Sequence, residues 1–133
     1  KKNGVIERVT IGEHFDIDKF SEYESRNALV ICDIEGSEKT LLDPISAPSL
    51  TNFDIIVESH ECLVSGITEE LIKRFSGTHR ITKVEDTGER RLENVPKWFG
   101  ELAHLDQLLA TWEWRSGPTP WLVMDAKNRE GFL

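Results

Sequence analysis

The sequence predicts an α/β fold on a mostly parallel sheet, and three observations carry the prediction. Two apolar runs, 28–34 and 53–58, flank a short helical segment and a proline-bearing loop, the spacing of a strand–helix–strand unit with parallel strands. A helix with acids in its first turn and bases in its last follows at 68–75. A final apolar run, 121–126, comes after a Ser-Gly-Pro-Thr-Pro break, close enough to return antiparallel. Composition agrees. Hydrophobic residues make up 38% of 133, and adding the 9 glycines brings the chain near the roughly 45–50% of an ordinary domain. That excludes wholesale disorder and predicts a single domain over 1–133.

In chain order, Val5-Ile6-Glu7-Arg8-Val9-Thr10 is strand-like, and an opening on a lysine pair without Met suggests a piece of a longer polypeptide. Ala28-Leu29-Val30-Ile31-Cys32-Asp33-Ile34 has the continuous apolar pattern of a strand buried on both faces. A short helix from Glu38 to Asp43 is stopped by Pro44, and a loop holding Pro48 leads into the strand Phe53 to Glu58. Thr68 is the expected N-cap of the helix to Phe75, with Gly77 as terminator. Arg80 to Glu85 alternates polar and apolar as an edge strand does, and Asp86-Thr87-Gly88 turns it. One long helix is expected from Pro96, as first helical residue, to Trp114: Trp98, Phe99, Leu102, Leu105, Leu108, Leu109 and Trp112 recur at steps of three and four. Trp121 to Ala126 is the last strand.

Charge and cysteine content narrow the function. Sixteen basic against 24 acidic residues leave a net charge of −8, a field that repels polyphosphate, so nonspecific nucleic-acid binding is not expected. Cys32 and Cys62 lack metal-ligand spacing, and Cys32 in mid-strand reads as an inert buried thiol. No window is long and apolar enough for a membrane helix, and the start lacks the apolar stretch of a signal peptide. No membrane association and a reducing, cytoplasmic setting are expected. Phosphate-binding glycine loops, G-x-S-x-G, H-E-x-x-H and C-x-x-C are all absent from the sequence.

Chemistry concentrates where the first two buried strands end, in Asp33-Ile34-Glu35-Gly36 and Glu58-Ser59-His60-Glu61. Neighbouring parallel strands would bring these carboxylates and the imidazole to one rim, where ligands of such sheets bind. Such a rim suits Mg²⁺ or Mn²⁺, with Zn²⁺ or Fe²⁺ added by the histidine, or proton transfer through His60 or Glu35. A structural alternative stands beside these: Glu35 caps the next helix, Asp33 accepts loop amides, and 58–61 is a solvated strand end. Glu113 and Arg115 among Trp112, Trp114 and Trp121 form a second, weaker candidate, since tryptophans at helical spacing are usually core. His14, His79 and His104 read as surface or satisfied histidines, and Lys73-Arg74, Arg80, Lys83 and Arg90-Arg91 as a solvated face.

Asp33-Ile34-Glu35-Gly36-Ser37-Glu38 resembles the D-x-E-G-x-E strand end of FkbM-type methyltransferases, a branch of the S-adenosylmethionine-dependent class I fold. Three further passages are similar in the same order. Val9-Thr10-Ile11 with Phe15-Asp16-Ile17-Asp18 looks like the link from that fold's third strand into the helix before its fourth, and Asp54 to Glu61 like its fifth strand. Trp112-Glu113-Trp114-Arg115 through Trp121-Leu122 resembles the passage into its antiparallel seventh strand. The family's first strand with its glycine-rich loop, and the acid ending its second strand, have no counterpart in this sequence.

The resemblance implies the C-terminal half of a doubly wound, Rossmann-like methyltransferase sheet, with fourth, fifth, seventh and sixth strands in that spatial order and helices on both faces. Asp33, Glu35 and His60 become candidate catalytic residues. Asp33, Ile34, Glu35 and Gly36 become candidate contacts to S-adenosylmethionine, and Glu58, His60 and Glu61 candidate substrate-side residues for a small-molecule acceptor. The implied chemistry is methyl transfer to oxygen or nitrogen, with no activity expected from this half alone, and no metal is implied. Without the fold's first strand beside it, the edge of Ala28 to Ile34 is open to pairing, so homodimerisation through it is expected. The alternatives are a divalent-metal hydrolase or nuclease-like domain using Asp33, Glu35, Glu58 and His60, or a non-catalytic α/β interaction module.

Overall fold

The computed structural model describes residues 4–25, 27–86, 94–112 and 116–128. Four strands form one mixed sheet: β1 (Leu29–Cys32), β2 (Asp54–Glu58), β3 (His79–Val84) and β4 (Trp121–Ala126), in the spatial order β1-β2-β4-β3. β1 and β2 are parallel, while β4 runs antiparallel to both of its neighbours, β2 and β3. Three strands therefore share one direction, with the last strand inserted among them in reverse.

The registers show which side chains share a face. Val30 aligns with Ile55 and Cys32 with Val57; Ile55 and Val57 face Met124 and Leu122 across β4. These residues, half-buried Val30 aside, are buried, and α1 (Glu38–Leu41), the 3-10 segment Pro48–Asn52 and α2 (Ile67–Phe75) add Leu42, Leu50, Phe53, Ile67, Leu71 and Phe75 to the same core. Truncating so enclosed a side chain as Phe53 costs about 3–5 kcal/mol. Arg74 ties the helices together by donating from Nη1 to the carbonyls of Lys39 and Leu42, groups that the short α1 leaves without helical partners.

Five expectations are corrected. Val5 to Thr10 holds no strand; Ile6–Arg8 form a 3-10 turn, and Val9 and Ile11 are exposed. β1 is covered on one face only. Leu29 and Ile31, two residues apart and so on the same side, are 54% and 68% exposed. The N-cap of α2 is Gly66, left-handed at φ 79°, and Thr68 lies inside the helix. The long helix from 96 is two pieces, α3 (Lys97–Gly100) and α4 (His104–Thr111), with Pro96 at the N-cap position and an extended Ala103 between them. Neither piece buries a residue, so among the described residues the core lines one face of the sheet rather than two. Lys1 to Asn3, Thr87, Gly88, Arg90, Arg91, Glu113, Trp114 and Arg115 lie outside the described residues.

Candidate functional site

Parallel pairing of β1 and β2 brings their carboxyl ends side by side, and the loops beyond them converge as expected. Immediately after β1 the chain turns sharply: Glu35 takes the left-handed conformation at φ 52° and Gly36 follows at φ 97°. A Cβ on Gly36 would come within 3.3 Å of Val64 Cγ2 and 3.4 Å of Leu63 Cβ, so glycine is required there for both conformation and space. Glu35 has a side chain and carries the strain of that region, which in this turn holds its carboxylate against the rim. The turn starts α1 at Glu38.

Glu38 and His60 form the buried floor of the site. Both are enclosed, at 0% and 1% exposure, and His60 Nδ1 lies 2.5 Å from Glu38 Oε1. The Ile34 amide donates to the same oxygen at 3.4 Å. Oε1 thus acts as an acceptor, which makes Nδ1 a hydrogen-bond donor to it. Nε2 is buried without a hydrogen-bond partner and faces outward, 3.5 Å from Asp33 Oδ1 and 3.4 Å from Glu35 Oε2. The two carboxylates are exposed on the solvent side of the ring, whereas the ring itself is enclosed.

Glu58, at the end of β2, is buried behind this group and accepts a hydrogen bond from the Thr119 hydroxyl at 2.8 Å. Burial raises the Asp33 carboxyl above the ordinary range, the adjacent Glu58 adds to that through its charge and a shared hydrogen bond, and His60 opposes it. Ile34 and Gly36 contribute backbone at the rim rather than side-chain chemistry.

Of the predicted site residues, Asp33, Glu35, Glu58 and His60 come together. Glu61 turns away. Its Oε1 accepts from the Gly66 amide and its Oε2 from the Thr68 amide and hydroxyl, so it caps α2, and those amides hold its carboxyl below the usual range. The structural alternative for 58–61 fails, because Glu58, Ser59 and His60 are all buried; Glu35 does not cap α1, whose N-cap is Ser37. Glu38 was the residue missed as a site member. It is the last letter of D-x-E-G-x-E, but its partner lies 22 positions downstream, beyond the reach of local pattern.

The remaining candidates are structural. Burial pushes the Cys32 thiol up to about 12, with Glu38 and Asp33 adding to the shift, which leaves it protonated and unreactive at neutral pH. His79 is a core histidine whose Nε2 donates to the Phe53 carbonyl at 2.8 Å. His14 and His104 are exposed.

Beside the open edge of β1 runs an apolar groove of about 390 Å³, lined in part by Phe15, Phe20, Tyr23, Val30, Ile31 and Leu41. Ile34, between the two carboxylates of the rim in sequence, also lines it. No helix among the described residues is long and apolar enough to cross a membrane. Comparison with family models, curated proteins and solved structures finds nothing that matches this chain.

Proposed function

We propose that this chain is the C-terminal part of an S-adenosylmethionine-dependent methyltransferase, working in the cytoplasm on a small-molecule oxygen or nitrogen acceptor. The strand order β1-β2-β4-β3, with only β4 reversed, carries the reading. It is the order and polarity that the FkbM resemblance implies for the second half of a Rossmann-like methyltransferase sheet. In this reading β1 is an interior strand of the complete sheet, and its open edge and the groove beside it receive the half that binds most of the cofactor.

The residues present fit the part of the cofactor assigned to them. S-adenosylmethionine supplies a methyl group on a positively charged sulfonium, and the Asp33 and Glu35 carboxylates offer complementary charge at the rim. Asp33, Ile34, Glu35 and Gly36 would hold the donor side, with Glu58 and His60 facing the acceptor. The chain's contribution is to place an acceptor atom in line with the methyl group and exclude water from the buried floor. A hydroxyl acceptor must also lose its proton, and His60, whose Nε2 is buried beside the Asp33–Glu35 rim, is the residue placed to take it.

Equilibrium binding of S-adenosylmethionine, which carries the sulfonium charge, tests this. The full-length product of the gene encoding this chain should bind it, Asp33→Asn should weaken binding by about tenfold, one lost charge-assisted contact, and the 133-residue chain alone should bind poorly. A full-length product with no affinity for the cofactor would refute the reading.

A further inference from the structure

We propose that Asp33, Glu35 and His60 form a divalent-cation site, with Glu38 as the group that orients the histidine. One ligand atom from each of the three lies within 4.8 Å of the others. Nε2 stands 3.5 Å from Asp33 Oδ1 and 3.4 Å from Glu35 Oε2. Donor atoms around one ion with bonds of about 2.1 Å are roughly 3.0–3.4 Å apart, so small turns of the two exposed carboxylates close the set.

Two acids at a strand end are common and would say little alone. The second observation is the ring between them. His60 is 1% exposed, and its Nε2 is buried without a hydrogen-bond partner although both carboxylates lie within 3.5 Å of it. Its other nitrogen, Nδ1, donates a hydrogen bond to Glu38 Oε1, which also accepts from the Ile34 amide. With the proton on Nδ1 alone, Nε2 presents a lone pair to two oxygens that also carry lone pairs. Three acceptors converging on one point, one of them fully buried, are stabilised by a cation placed among them. The Glu38–His60 pair is also the arrangement that fixes the tautomer and raises the basicity of a metal-binding histidine.

The donor set selects the ion. One imidazole nitrogen and two carboxylate oxygens suit Mn²⁺, Fe²⁺ or Zn²⁺, whereas Mg²⁺ prefers oxygen alone. The ion would be reached from solvent over Asp33 and Glu35, whose side chains are 50% and 74% exposed, which leaves positions open for water or an acceptor oxygen. Bound there, an acceptor hydroxyl would have its pKa lowered by the cation, with His60 serving as ligand instead of base. The site does not rest on methyl transfer.

Titration of the 133-residue chain with Mn²⁺, followed by electron paramagnetic resonance, reads binding directly. One ion per chain is expected. Asp33→Asn and Glu35→Gln alter exposed side chains and should leave the fold intact while each weakens binding by about tenfold or more, and the double variant should abolish it. A second readout is the ¹⁵N spectrum of the histidine rings. On adding Zn²⁺, Nε2 of His60 should shift while its Nδ1 keeps the proton, and His79, held by Phe53, should stay unmoved. The proposal is overturned by no saturable binding of either ion up to about 1 mM, by binding that survives the double variant, or by a His60 ring protonated on both nitrogens and indifferent to Zn²⁺.

Discussion

His60 and Glu61 are adjacent, yet one closes the floor of the site and the other caps a helix. Glu61 satisfies two of the amides that begin α2, so Glu61→Ala should cost about 1 kcal/mol. Thermal unfolding should show this as a loss of roughly 4 °C, with binding at the Asp33–Glu35 rim unchanged; a loss of binding with the melting temperature intact would return Glu61 to the site. His79 supplies a pH signature. Burial lowers its pKa, the Phe53 carbonyl, Asp54 and Asp125 oppose the shift, and Lys127 adds to it. The unfolded ring titrates near pH 6.5, so below that value the unfolded chain binds more protons than the native one. This contribution is present above about pH 6.5 and is lost as pH falls through the folded-state pKa. Urea midpoints should therefore decline as pH falls below about 6.5, and His79→Gln, which keeps a donor for Phe53, should flatten that decline.

At the scale of elements, legibility followed the physical origin of each signal. β2 and β4 were read from apolar runs whose length and position the chain itself specifies. For α3 and α4, the sequence shows where apolar residues recur but not what they pack on; with no buried residue in either, the helix breaks at the extended Ala103 just after Gly100. β1 was misread for a related reason: an apolar run reports a capacity for burial, and here one face and one edge lie open. That edge predicts self-association. Ile31→Lys, on the open face, should shift sedimentation toward monomer relative to the unmodified chain, and a chain monomeric at all concentrations would contradict the prediction.

For the molecule as a whole, the rim was legible because strand ends in a parallel sheet are places where polar residues gather, and Asp33, Glu35, Glu58 and His60 could be named from that alone. The fold then added what no local pattern carries: Glu38 reaching under His60 from the start of α1, and Glu61 turned toward α2. The central claim is that this sheet is half of a larger one, completed by a strand on β1. Amide hydrogen exchange at Leu29–Cys32 tests it most directly, with this chain compared against the full-length gene product. The account predicts rapid exchange at the open edge of β1 in this chain when it is diluted to monomer, and strong protection in the full-length protein. Equal exchange in the two would contradict it.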